Sequence, residues 1–149
     1  MEKTFIMIMP DGIEKGLIGE VIRRLEKEGL KISKIKNVKL NEEICNQLYG
    51  ESLEKFPQMK KPIAEYMTKD HVIAAVVEGL EAIEKARKIR GLSNPSQSPL
   101  GSIRKDFAGD QDMELLTEQG KATKNIMHAS GSLEEVEREI KLIFGESEI

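Results

Sequence analysis

Residues 72–77, Val-Ile-Ala-Ala-Val-Val, form an unbroken apolar run in a chain of which 33% is Asp, Glu, Lys or Arg. A strand that alternates apolar with polar residues needs cover on one face only, whereas a run without a polar position needs cover on both. The run therefore predicts a central strand, buried on both faces, around which the other elements must pack.

A second apolar, β-capable stretch, residues 4–9, stops at Pro10-Asp11-Gly12, a turn signal that also sets Asp11 near a helix N-terminus. Ile13, Leu17, Ile18, Val21, Ile22 and Leu25 then recur at three- and four-residue steps, and Gly29 stands where a helix C-cap glycine belongs. Together they predict strand, turn and one helix. Residues 30–40 alternate Lys with aliphatic residues until Ile35 breaks the parity, which predicts a half-exposed strand with a bulge. Residues 41–67 read as two short helices separated near Phe56-Pro57.

Beyond the central strand, a helix is expected from about Leu80 with Ile83, Ala86 and Ile89 inward, ending before Gly91-Leu92-Ser93-Asn94-Pro95. A loop follows. Residues 108–124 are polar and aperiodic, with a short helix expected at 113–118, and are read as an insertion. Residues 125–129 suit a short last strand. Ser132 and Glu135 then form a capping box for a helix with Leu133, Val136, Ile140 and Ile143 inward. This order predicts an α+β fold, a ferredoxin-like antiparallel sheet packed against helices, as a single domain over residues 1–149.

A chain of 149 residues can bury a core without disulfides, and Cys45, its only cysteine, can form no internal one. No apolar run approaches the ~20 residues that cross a bilayer, so the expectation is a cytoplasmic protein without a membrane partner. A net charge of −3, no Trp and few aromatic residues argue against a specific nucleic-acid partner but leave room for local basic patches that grip a small polyanion.

Of the two histidines, His71 beside Asp70 reads as an ordinary surface residue. His128 lies at the junction of the last strand and the capped helix. Taken alone it would more often be a core or surface histidine. Glu139, next to the inward-facing Val136 and Ile140, shifts the balance because a buried carboxylate needs a partner. Bonded to one ring nitrogen, it would fix the tautomer and leave the other nitrogen as a nucleophile, although a solvated helix-edge Glu remains the plainer reading. Arg87 and Arg104 flank the Ser-Asn-Pro loop from opposite ends, and an arginine fork bonds two phosphate oxygens at once. A complete phosphate loop, a nucleophile elbow and a zinc-binding histidine pair are all missing.

Four stretches, residues 4–12, 87–95, 101–107 and 125–130, resemble in order and spacing the motifs of nucleoside diphosphate kinases, and Asn125-Ile126-Met127-His128-Ala129-Ser130 is similar to archaeal members. The resemblance runs from about Lys3 to Phe144. It implies that His128 is phosphorylated and oriented by Glu139, that Tyr49 supports the histidine, and that Arg87, Ser93, Arg104 and Asn125 bind the nucleotide. It further implies a ping-pong exchange between ATP or other nucleoside triphosphates and nucleoside diphosphates, a magnesium ion (Mg2+) held chiefly by phosphates, and a homohexamer or homotetramer.

Four positions depart from the family pattern. Met9 stands where a lysine directed at the terminal phosphates is expected, and its side chain should point at the phosphate site; Lys105, Lys121 and Lys124 are candidate substitutes. The base clamp falls near Gln58-Met59-Lys60, with Met59 or Phe56 stacking on a base of any kind. Gly131 replaces an aspartate, and residues 108–124 lengthen the connection before the histidine motif, either over the nucleotide or over a subunit surface. The alternative reading is a weakly active or inactive nucleotide-binding homologue with a structural or regulatory role, and a third is a nucleic-acid-binding or scaffold protein.

Overall fold

The computed structural model describes residues 1–145. Four strands, β1 (Glu2–Ile8), β2 (Lys31–Val38), β3 (Val72–Gly79) and β4 (Met127–Ala129), form one sheet in the order β2-β3-β1-β4, with every neighbouring pair antiparallel. This is the ferredoxin-like arrangement expected.

The central pair, β1 and β3, are the two apolar stretches, and their alternate residues feed two separate cores. Ile6, Ile8, Ala75 and Val77 face one side, against α2 (Ile18–Lys27) and α6 (Ala82–Arg90) through Val21, Leu25, Ala82 and Ala86. Phe5, Met7, Ala74 and Val76 face the other, against α3 (Glu42–Leu48), α5 (Lys60–Thr68) and α9 (Leu133–Phe144) through Leu48, Met67, Val136 and Ile140. A continuous apolar strand is what a sheet covered on both faces requires. Edge strand β2 is mostly exposed, and its register against β3 slips between Ile32 and Lys34, the bulge that the broken parity at Ile35 predicted.

Several boundaries differ from the pattern-based expectation. The first helix is broken into α1 (Pro10–Glu14) and α2 because Gly16 adopts φ 74°, a left-handed turn that periodicity alone cannot reveal. The helical pair is α3, α4 (Gly50–Lys55) and, after a 3-10 turn at Pro57–Met59, α5, so the expected break at Phe56-Pro57 is joined by another at Tyr49. Leu133 is not inward but 60% exposed, since it occupies the first turn of α9, ahead of the stripe of Val136, Ile140 and Ile143. In the loop region α7 (Ile103–Ala108) and α8 (Met113–Glu118) are short helices, α8 where the sequence predicted one.

Candidate active site

The chain enters the site through a strained turn. Ile126 has φ 73°, a conformation that costs a β-branched residue on the order of 1–3 kcal/mol. Its surroundings impose it: Ile126 N–H donates to Asp11 Oδ2 at 3.1 Å, and its carbonyl accepts from Met9 N–H at 2.8 Å. A Cβ on Gly12 would lie 2.8 Å from that carbonyl, so only glycine allows the approach. Tyr66 donates its hydroxyl to Asp11 Oδ1, and burial together with Asp11 holds the phenol's pKa well above its usual value. Asp11 thus does not cap α1, whose N-cap is Met9 without a side-chain bond; it reaches across to fix the segment ahead of His128.

After this turn β4 pairs with β1, setting Met7 opposite His128. His128 Nε2 meets Glu139 Oε1 at 2.6 Å, and Ser130 donates its hydroxyl to the same oxygen at 2.7 Å. Glu139 is 1% exposed. As the carboxylate accepts, it holds the proton on Nε2 and leaves the lone pair on Nδ1, which has no hydrogen bond among the described residues. The rings of Tyr49 and Phe5 flank the imidazole, with centroids 5.8 and 6.1 Å away. Burial pushes the Tyr49 phenol up to about 12, so this wall is neutral at ordinary pH.

Two cavities meet at His128. One, about 540 Å³, runs between the turn at Phe56, Met59 and Ile63 and the wall of Met113, Glu114 and Thr117 from α8, with Arg104 and Asn125 at its inner end. The other, about 410 Å³, opens toward Arg87, Gly131, Glu135 and Arg138. Tyr49, Ser52, Arg90, Ser93 and His128 line both.

The sequence-predicted residues His128, Tyr49, Met59, Ser93, Arg104 and Asn125 converge on the first cavity, and Arg87 and Glu139 on the second. Met9 does not join them. It lies at the end of β1 as expected, but it is 0% exposed, packs in the apolar cluster with Phe5 and Met7, and lines neither cavity. Same-side packing of alternate strand residues draws it into the core. The candidate substitutes also stay away: Lys105 donates to Ser96 O, and neither Lys121 nor Lys124 lines either cavity.

Arg104 is buried and donates to the carbonyls of Asn125, Leu92 and Met127, bridging the Ser-Asn-Pro loop and the histidine strand. Burial and the neighbouring Arg90 pull its pKa down to about 9. Arg87 donates to Gly131 O at 3.4 Å. At Gly131, Glu135 accepts from the N–H and Ser132 Oγ accepts from Glu135 N, so the capping carboxylate also holds the loop at Gly131. The residues that sequence reasoning missed are Asp11, Tyr66, Ser130 and Arg90. For Arg90 a signal existed: it follows Ala82 and Ala86 at four-residue steps on the buried stripe of α6.

Comparison with known proteins gives this geometry a family. The model of the nucleoside diphosphate kinase family matches residues 2–149. The chain belongs to that family. Among its relatives, the nucleoside diphosphate kinase of Saccharolobus islandicus is 37% identical over 149 residues, all of this chain and 99% of the relative. That of Pyrococcus abyssi is 43% identical over 148 residues, 99% of this chain and 87% of the relative. A transition-state mimic of the Borrelia burgdorferi nucleoside-diphosphate kinase with bound vanadate and ADP has a similar fold, with TM-score 0.90 and 31% identity over 99% of this chain and 89% of its own. The NDP kinase of Pyrobaculum aerophilum gives 0.87 and 30%, covering 99% and 98% of the two chains.

Proposed function

We propose that this nucleoside diphosphate kinase family member moves the terminal phosphoryl group of a nucleoside triphosphate to a nucleoside diphosphate through a phosphohistidine at His128. The observation that carries this reading is the 2.6 Å bond from Glu139 to Nε2, which leaves Nδ1 as the nucleophile where the two cavities meet. In the first half-reaction the Nδ1 lone pair bonds to the γ-phosphorus, the bond to the bridging oxygen breaks, and its electron pair leaves with the diphosphate. A β-phosphate oxygen of a second diphosphate then takes the group, and the P–N bond returns its electrons to Nδ1. Glu139 stabilises the positive charge the ring gains, and Arg87 and Arg104 supply cationic donors for the phosphates.

The base side of the cavity is apolar where Phe56, Met59 and Ile63 line it, which suits stacking, a contact tolerant of base identity. Asn125 and Ser93 have polar groups for the ribose and phosphates. Residues 108–124 act in this reading as an insertion within a single domain, and α8 covers the base side. A divalent cation, which we take to be Mg2+, would arrive held by the nucleotide phosphates and neutralise their charge. The donor set fits that arrangement: Glu139 and Glu135 are engaged with His128 and Gly131, and Arg87, Arg90 and Arg138 line the same cavity as cationic groups. No helix among the described residues is long and apolar enough to cross a membrane. We further propose a cytoplasmic homohexamer or homotetramer, consistent with the exposed edge strand β2 and half-exposed Ile35.

The weakly active homologue remains a distinct second reading, favoured by the burial of Met9 where a cation was expected. Incubation with magnesium and ATP, followed by intact-mass measurement at alkaline pH, separates the two. One acid-labile phosphate is expected on the wild type and none on His128→Ala. A wild type that binds nucleotide and stays unmodified would establish the second reading.

A further inference from the structure

The last residue of α6 carries an unassigned charge. Arg90 is 8% exposed, donates Nε–H to Gly91 O at 3.0 Å and Nη1–H to Ala129 O at 3.2 Å. The second bond clamps the guanidinium to the residue next to His128. Nη2 has no hydrogen-bond partner among the described residues, and no carboxylate there comes within ion-pair distance of Arg90, although Glu135 lies near enough to favour its charge. Among the described residues, Arg90 is also the one Lys or Arg side chain that lines both cavities meeting at the histidine.

A purely structural tie between α6 and β4 would explain the bond to Ala129 O, but it would not require a charge. Burial and the nearby Arg87 push the pKa of Arg90 below the usual guanidinium value, so the protein holds this cation at a cost that a dianionic group beside it would relieve. Among the described residues no lysine lines either cavity: Lys105 is bonded to Ser96 O, and Met9 packs in the apolar cluster. We propose that Arg90 is a catalytic residue: its free Nη2 edge grips the phosphoryl group in transit between the nucleotide and His128, supplying the cation that position 9 lacks. The inference rests on the phosphohistidine reading above, and it adds a residue from the end of α6 to the group that stabilises the transferring charge.

The test is single-turnover phosphorylation of His128 by saturating ATP and magnesium in wild type, Arg90→Gln and Arg90→Lys, with ADP affinity measured on each. Removing a preorganised donor should slow Arg90→Gln by about 100-fold or more. Its affinity for ADP, which lacks the transferred group, should stay within about threefold of wild type. Arg90→Lys, which keeps the charge, should react at least about tenfold faster than Arg90→Gln. Should Arg90→Gln fail to fold, Arg90→Leu, suited to the apolar stripe of α6, takes its place. A wild type that forms no phosphohistidine overturns the kinase reading itself. A phosphorylating wild type matched by Arg90→Gln overturns the role of Arg90 alone. So does a pair of variants that are equally slow and lose ADP affinity in proportion, because that pattern marks a structural tie.

Discussion

The floor and the far walls of the cavity at His128 are built on different principles. On the floor, from α1, β4 and α9, polar groups hold one another: Glu139 takes His128 and Ser130, Glu135 takes Gly131, and Asp11 takes Tyr66 and Ile126. The far walls are Phe56, Met59 and Ile63 on one side and Met113 of α8 on the other, and the α8 carboxylates Glu114 and Glu118 make no hydrogen bond or ion pair among the described residues. A bonded network in low dielectric fixes positions to fractions of an ångström, while apolar contact tolerates adjustment. Reaction geometry should therefore be lost by small changes on the floor, and substrate choice should stay loose at the wall.

The sharpest way to break this contrast is Glu139→Gln. The amide can turn its NH2 toward the ring and favour the wrong tautomer, so His128 phosphorylation should fall at least about 100-fold with little change in fold. A rate within about threefold of wild type would mean that the carboxylate only fills space.

A smaller effect is expected at Asp11→Asn, measured by urea unfolding. One of the two donors, Tyr66 O–H or Ile126 N–H, would face an amide NH2, and a buried donor left without an acceptor costs about 1–3 kcal/mol. The strained φ of Ile126 should relax, so phosphorylation should slow in the folded enzyme as well. Unchanged stability would show that the floor does not depend on this bridge.

The wall should give the smallest response. Phe56 is 46% exposed, so Phe56→Ala removes only part of a stacking surface and should raise KM less than about tenfold, within the range of one stacking contact. Transfer to purine and pyrimidine diphosphates should remain comparable. A strict preference for one base that disappears in Glu114→Gln or Glu118→Gln would show that the wall reads base edges after all.

How much of this was legible beforehand depends on the range of the interaction. The strand at 72–77, the bulge near Ile35, the helix at 113–118 and the Ser132 cap are short-range patterns of two to seven residues, and each is present in the structure. The His128 and Glu139 pair was also readable, because an inward-facing carboxylate 11 residues downstream on a helix needs a partner. By contrast, Gly16 looked like a helical position because apolar spacing does not report the sign of φ.

By itself the sequence determined the family, the order of the elements and the chemical types gathered at the site, since those follow from local periodicity and from residues that carry their chemistry wherever they sit. Only the tertiary structure decided which of those residues face the cavities. Met9 turned inward because β1 sends alternate residues to two cores, and Arg90 came to the histidine because the buried stripe of α6 ends beside β4. Asp11 reached Ile126 across 115 residues of chain. Contacts of that span depend on how the layers close over the sheet, and no local pattern in the chain records it.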